Sequence, residues 1–252
     1  MGGIAVDIFV TGATGVLGRA TVPLLVAAGH RVRALVRSEA NRATVRQLGA
    51  EPVAADLFDA ASMGAAVAGA DAILHLATKI PPTNAAGRPA AWAENDRIRR
   101  EGTRNLVAAA LAAGVGTLIY PSITFVYRDG GDAWLAADSA ALDPGPVAST
   151  LEAEAEVARF ANAGGRGITL RMGSFYGPGA ASTADQLRYA RLGIALLPGD
   201  ARAYQSSIWI ADAASAVVAA LDRAPAGVYD VVDDEPLRRG ELARALARAV
   251  GR

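Results

Sequence analysis

The feature that most constrains this chain is the alternation of short apolar runs with longer segments of helical period. Ile4–Val10, Val32–Val36, Pro52–Ala55, Ala72–Leu76, Thr117–Tyr120 and Gly167–Met172 read as strands. Val16–Ala28, a short Ala-rich piece at Ala60–Val67, Trp92–Ala113 and Leu151–Ala163 read as helices, and a polar, Arg-rich stretch runs through Arg46. Strands that are apolar along their whole length have both faces buried. Strands separated by helices of this length imply right-handed crossovers. The expectation is an α/β fold, a doubly wound parallel sheet covered on both faces.

After Met172 the rhythm breaks. Gly173–Gly179 and Leu196–Tyr204 read as loops around a helical piece at Thr183–Arg191. A strand at Ser207–Ile210, an Ala-rich helix at Asp212–Leu221, a strand at Val228–Val232 and a helix from Arg239 follow. No repeat or low-complexity linker divides the chain. Residues 1–252 therefore read as one domain, with residues from about 173 to 252 forming a small substrate-binding part packed on the sheet.

Composition narrows the function. Of 252 residues, 52% are apolar and 20% charged, which excludes a disordered chain. Basic and acidic residues balance at 25 each, so no global field holds nucleic acid or an anionic membrane. Without cysteine there are no disulfides, thiolate nucleophiles or Cys-ligated metals, and two histidines, His30 and His75, argue against a metal site. No apolar run of about 18 residues is present, and the N-terminus shows no signal-peptide pattern. A cytoplasmic protein acting on a small molecule, without nucleic acid or membrane partners, is expected. Among the basic residues only Lys79 is a lysine.

Between the first strand and the first helix lies Thr11-Gly12-Ala13-Thr14-Gly15-Val16-Leu17-Gly18. Glycines at 12, 15 and 18 permit a tight turn, close approach of a pyrophosphate and close helix–strand packing. The helix start then aims backbone N–H groups and its positive dipole end at phosphates. Gly12, Thr14, Gly15, Val16, Leu17 and Gly18 are the expected phosphate-side residues.

Thr11-Gly12-x-x-Gly15-x-x-Gly18 resembles the fingerprint of the extended and atypical short-chain dehydrogenase/reductases, the group containing NAD-dependent epimerases and dehydratases. Further likenesses follow in order along nearly the whole chain. They are Asp56-Leu57, His75-Leu76-Ala77-Thr78, Glu101-Gly102-Thr103-Arg104-Asn105-Leu106, Arg171-x-Gly173-x-x-Tyr176-Gly177-Pro178 and Gly227-Val228-Tyr229-Asp230-Val231. The resemblance implies a Rossmann-type fold and a nicotinamide cofactor. It also implies a homodimer through the helices Trp92–Ala113 and Leu151–Ala163. Asp56 and Leu57 fall on the adenine side, and Leu76, Ala77, Thr78 and Lys79 where the fourth strand meets the cofactor.

In such folds an acid ending the second strand takes the ribose hydroxyls of NAD, whereas arginine accommodates the 2′-phosphate of NADP. Here that strand ends Val36-Arg37-Ser38. A guanidinium grips a phosphate bidentately and a hydroxyl adds a donor. Arg42 could close over the same group. NADP is expected in preference to NAD.

The resembled family protonates its substrate with a Tyr-x-x-x-Lys pair beside a Ser or Thr. No tyrosine here has lysine four residues later, and none falls between Tyr127 and Tyr176. The usual hydroxyl position falls on Ile123, flanked by Ser122 and Thr124. Ser122, Thr124, Tyr127 and Lys79 are the candidates for catalysis, with Ser122 also cofactor-proximal. His75 reads as a buried histidine, and Glu152, Glu154 and Glu156 as a solvated or dimer-facing surface. Tyr176, Trp209 and Ile80 are candidates for the substrate wall, Trp92 and Trp134 for further apolar walls, and Ile80–Pro89 for a lid. An NADP-dependent oxidoreductase acting on a small carbonyl or alcohol is the leading expectation. A nucleotide-sugar epimerase or dehydratase and a noncatalytic NADP-binding sensor are the alternatives.

Overall fold

The computed structural model describes residues 5–139, 141, 145, 147–197 and 199–252. Ile4, where the first strand was expected to begin, lies outside them. The first half runs β1 (Asp7–Thr11), α1 (Val16–Ala27), β2 (Arg31–Val36), α2 (Glu39–Gln47), β3 (Glu51–Ala54), α3 (Ala60–Val67), β4 (Ala72–His75), α4 (Ala93–Arg97) and α5 (Thr103–Ala112). Next come β5 (Thr117–Ile123), α6 (Ala148–Asn162), β6 (Arg166–Met172), β7 (Ser174–Tyr176), α7 (Ala181–Arg191), β8 (Tyr204–Gln205) and β9 (Ser207–Trp209). The chain closes with α8 (Ile210–Arg223), β10 (Gly227–Val231), β11 (Leu237–Arg238) and α9 (Arg239–Ala249).

Seven strands form one sheet in the order β10-β6-β5-β4-β1-β2-β3, with every neighbouring pair parallel. The order reverses between β4 and β1, which opens a crevice at the carboxyl ends of those strands. Alternate strand residues feed two apolar layers. Ile8, Val10 and Ile119 pack with Val22, Leu25 and Val217 from α1 and α8. Phe9, Leu118 and Tyr120 pack with Met63, Leu106 and Phe160 from α3, α5 and α6.

Three elements depart from the sequence expectation. The Trp92–Ala113 helix is in pieces: a 3₁₀ turn over Pro89–Trp92, then α4, a π turn over Ile98–Gly102, and α5. Gly102 ends the π turn, and a Cβ there would stand 2.7 Å from Leu57 Cδ2, so a larger residue would push the Leu57 side chain aside. The fifth strand continues through Pro121 to Ile123. Pairing with β4 has ended at Leu74–Ile119, so one flank of β5 is already free of a ladder and the missing proline N–H is tolerated. Gly173–Gly179, expected as a loop, contains β7, which pairs with β9 from Ser174–Ser207 to Tyr176–Trp209. A side chain at Gly173 would strike the Ser207 backbone at 2.8 Å.

His75 is buried between β1 and the helix of α5. Its Nδ1 lies 2.7 Å from Thr11 Oγ1 and its Nε2 lies 3.0 Å from Thr103 Oγ1. A neutral ring offers one donor and one acceptor, which two hydroxyls can match. Burial pushes its pKa down to about 4. The unfolded histidine takes a proton near pH 6.5 whereas the folded one resists until near pH 4, so stability falls as pH drops through this window. The expected loss at pH 4 is about 3 kcal/mol. Urea melts of wild type and His75→Gln at pH 7 and pH 4 measure it, and equal pH losses in the two proteins would refute it.

Candidate active site

The glycine loop between β1 and α1 packs too closely for a side chain at Gly12 or Gly18. Gly12 has φ +77°, and a Cβ on it would lie 2.5 Å from the backbone of Leu76 and Ala77. A Cβ on Gly18 would run into the Gly12 carbonyl. Gly15 caps α1 with no side-chain acceptor, and the first turn holds no acid. The N–H groups from Val16 through Leu17 to Gly18 therefore face the loop with the helix dipole behind them. Arg19 Nε donates to the Thr14 carbonyl at 2.8 Å and steadies the loop. This cradle fits a pyrophosphate, because its backbone donors are unblocked and its floor admits no Cβ.

Beyond the ends of β2 and β3 lies a cleft of about 590 Å³ lined by Val36, Arg37, Ala54, Ala55, Asp56, Phe58, Glu94 and Arg97. Arg37 and Asp56, both expected on the adenine side, thus line one cleft. The Arg97 guanidinium lies 3.8 Å over the Phe58 ring and donates twice to Glu101, at 2.7 and 3.2 Å. The side chain of Leu57, a residue expected at the cofactor, packs in the core, where it meets Gly102. Leu76 is likewise a core side chain. Ser38 Oγ accepts from the Asn41 N–H at 3.2 Å as the cap of α2, and Arg42 pairs with Glu39 at 3.1 Å.

At the other end, Ala77, Thr78 and Lys79 continue from β4, beside the segment that continues from β5. The Lys79 N–H donates to Asn95 Oδ1 at 2.9 Å, while its side chain is exposed. Ser122 donates to Glu154 Oε1. Arg171 holds the same carboxylate, Nη2 to Oε2 at 2.8 Å and Nε to Oε1 at 3.1 Å. Arg171 Nη1 also donates to the Tyr127 hydroxyl at 3.0 Å, and that hydroxyl donates to Asp230 Oδ1 at 2.5 Å. Burial and the bond to Asp230 push the Tyr127 pKa up to about 12. Its proton is committed to a carboxylate and hard to remove.

The network corrects one sequence reading: Glu154 is not a surface acid. Its side chain is 10% exposed and that of Arg171 is 9%. Helical spacing carried the signal, since Glu154 lies four residues after buried Thr150 and three before buried Val157. Glu152 is exposed and pairs with Arg100 at 2.9 Å, and Glu156 pairs with Arg159 at 2.6 Å.

The substrate-wall candidates divide. Tyr176 and Trp209 meet edge to face with centroids 5.3 Å apart. Burial and a bond to Asp233 raise the Tyr176 pKa, and Asp233 also accepts the Trp209 N–H at 3.2 Å. Ile80 is exposed on the loop after Lys79, and Thr83 ties that loop to Asp185 of α7 at 2.8 Å. The structure thus joins Ser122 to Tyr127 in one network and Tyr176 to Trp209 in another. Among the described residues, Lys79, Thr124 and Ile80 have no side-chain hydrogen bond to either. No group of three or more metal-ligating side chains occurs among the described residues, and no helix there is long and apolar enough to cross a membrane.

Comparison with known proteins agrees with this geometry. The model of the NAD dependent epimerase/dehydratase family matches residues 8–232. A 3-diazoavenalumate denitrifying reductase of a Streptomyces species is 36% identical over 97% of this chain and 81% of that protein. A 2-alkyl-3-oxoalkanoate reductase of Stenotrophomonas maltophilia is 33% identical over 97% of this chain and 76% of that protein. The fold matches a dTDP-glucose 4,6-dehydratase of Streptomyces venezuelae solved with NAD, with TM-score 0.81 and 23% identity over 97% of this chain and 81% of that one. A sheet that reverses between β1 and β4, a loop at that reversal whose glycines at 12 and 18 admit no Cβ and a family match across both show that this chain belongs to the NAD-dependent epimerase/dehydratase family, as an NAD(P)-dependent oxidoreductase.

Proposed function

We propose that this enzyme uses NADP to reduce a small, largely apolar carbonyl compound, with Lys79 giving the proton and Thr124 holding the substrate oxygen. The observation that carries this reading is the commitment of the other candidates. Ser122 has given its proton to a bond with Glu154, and Tyr127 to a bond with Asp230. Lys79 and Thr124 follow neighbouring parallel strands, and neither side chain is hydrogen-bonded among the described residues. Bound across the glycine loop, the dinucleotide would supply the hydride. As the carbonyl carbon takes it, the oxygen becomes an alkoxide. The Lys79 ammonium hands that oxygen a proton, and the resulting amine recovers one from water.

Arg37 at the adenine cleft supports NADP, since its guanidinium can meet a 2′-phosphate. The apolar Ile80 and the Tyr176–Trp209 pair support a substrate with little charge. The names of the reductase relatives, one acting on a 3-oxoalkanoate, support a carbonyl. An epimerase that relied on Ser122 or Tyr127 to take a sugar proton is disfavoured, because both hydroxyls are bonded to carboxylates.

Loss of NADPH absorbance with a panel of aliphatic and aromatic ketones and aldehydes tests the reading. Turnover is expected with NADPH about tenfold above NADH, the effect of one charged contact. Tight NADPH binding with no oxidation across the panel would overturn it in favour of a binding protein. Stabilisation by a UDP- or dTDP-sugar instead would favour the epimerase.

A further inference from the structure

We infer that Glu94 sets the choice between the two dinucleotides by competing with a 2′-phosphate for Arg37, an inference that rests on Arg37 being the ligand of that phosphate. Four charged side chains line the adenine cleft: Arg37, Arg97, Asp56 and Glu94. Arg97 is occupied, stacked on Phe58 and bonded twice to Glu101. Asp56 turns Oδ1 to the Phe58 N–H at 2.9 Å. Arg37 is held more loosely, its Nη1 standing 3.7 Å from Glu94 Oε1, beyond hydrogen-bond length. Both side chains are about half exposed, at 55% and 47%. Arg37 is thus the cleft cation whose N–H donors remain available, and Glu94 is the charge beside it.

A phosphate on Arg37 places its negative charge next to the Glu94 carboxylate, and like charges at this range repel. A ribose 2′-hydroxyl is neutral and can donate to the same carboxylate. Glu94 therefore opposes NADP and tolerates NAD, while Arg37 does the reverse. The preference is a balance between two side chains contributed by different elements, the end of β2 and α4. Glutamine at 94 keeps size and hydrogen-bonding atoms while removing the charge.

The test uses two fragments that lack nicotinamide and differ from each other only in the 2′-phosphate. The full chain is titrated calorimetrically with adenosine 2′,5′-bisphosphate and with 5′-AMP, as wild type, Glu94→Gln, Arg37→Met and the double variant. Glu94→Gln is expected to bind the bisphosphate about threefold to tenfold more tightly, as for an exposed charge pair, and 5′-AMP no more tightly. That gain should disappear in the Arg37→Met background and shrink in high salt. Equal tightening of both fragments, or of neither, would overturn the role of Glu94. If Arg37→Met binds the bisphosphate as well as wild type, the NADP reading of Arg37 itself fails, which separates the two outcomes.

Discussion

Exchanging Lys79 for methionine is expected to lower kcat for NADPH-dependent carbonyl reduction about 10²–10⁴-fold, the usual contribution of a positioned general acid. The dinucleotide affinity should stay within a few-fold, because the phosphate loop and adenine cleft do not include this side chain. Folding should survive, since the side chain is exposed and the backbone N–H that Asn95 anchors is kept. Arginine at 79 restores charge but releases a proton far less readily, so Lys79→Arg should resemble methionine, not wild type. Lys79 is the chain's one lysine. Acylation of side-chain amines should therefore inactivate wild type and leave the residual rate of Lys79→Met untouched. A kcat for Lys79→Met within about threefold of wild type would remove Lys79 from the chemistry.

Arg171→Met is expected to cost about 3–5 kcal/mol of stability, as when one partner of a buried ion pair is removed. Glu154 would keep its charge at 10% exposure with only the Ser122 hydroxyl to answer it. Tyr127 would lose the Arg171 donor, and the Ala137 carbonyl would lose a bond of 3.2 Å. Replacing both partners, as Arg171→Met with Glu154→Leu, should recover much of the loss, because no unpaired charge remains. Urea unfolding of the two singles and the double measures the coupling. A cost below about 1 kcal/mol for Arg171→Met would mean that water reaches Glu154 and the pair behaves as a surface one.

Much of the fold was legible because its cues are local. The apolar runs, the spacing of the glycines at 12, 15 and 18 and the order of later motifs are properties of neighbouring residues, and α1, α3 and β2 fell within a residue of their expected bounds. The extended β5 and the strand β7 were missed because pairing partners decided them. Pro121 is tolerated only where β4 has stopped, and β7 exists only beside β9. The π turn carries no cue along the chain, and Gly102 at its end meets Leu57, a contact across 45 residues.

The site divides in the same way. By itself the sequence determined the glycine loop between β1 and α1, the arginine at the end of β2, the absence of a Tyr-x-x-x-Lys pair and the presence of a single lysine. Tertiary structure alone decided which hydroxyls remain available. Ser122 and Tyr127 look equivalent to Thr124 along the chain, yet Glu154 and Asp230, 32 and 103 residues away, take their protons. It also decided that Glu94 stands beside Arg37, 57 residues earlier in the chain. A hydrogen bond or ion pair depends on distances of a few ångströms. Spacing along the sequence controls those distances within a turn or a helix, whereas contacts between distant segments arise only when the sheet brings their ends together.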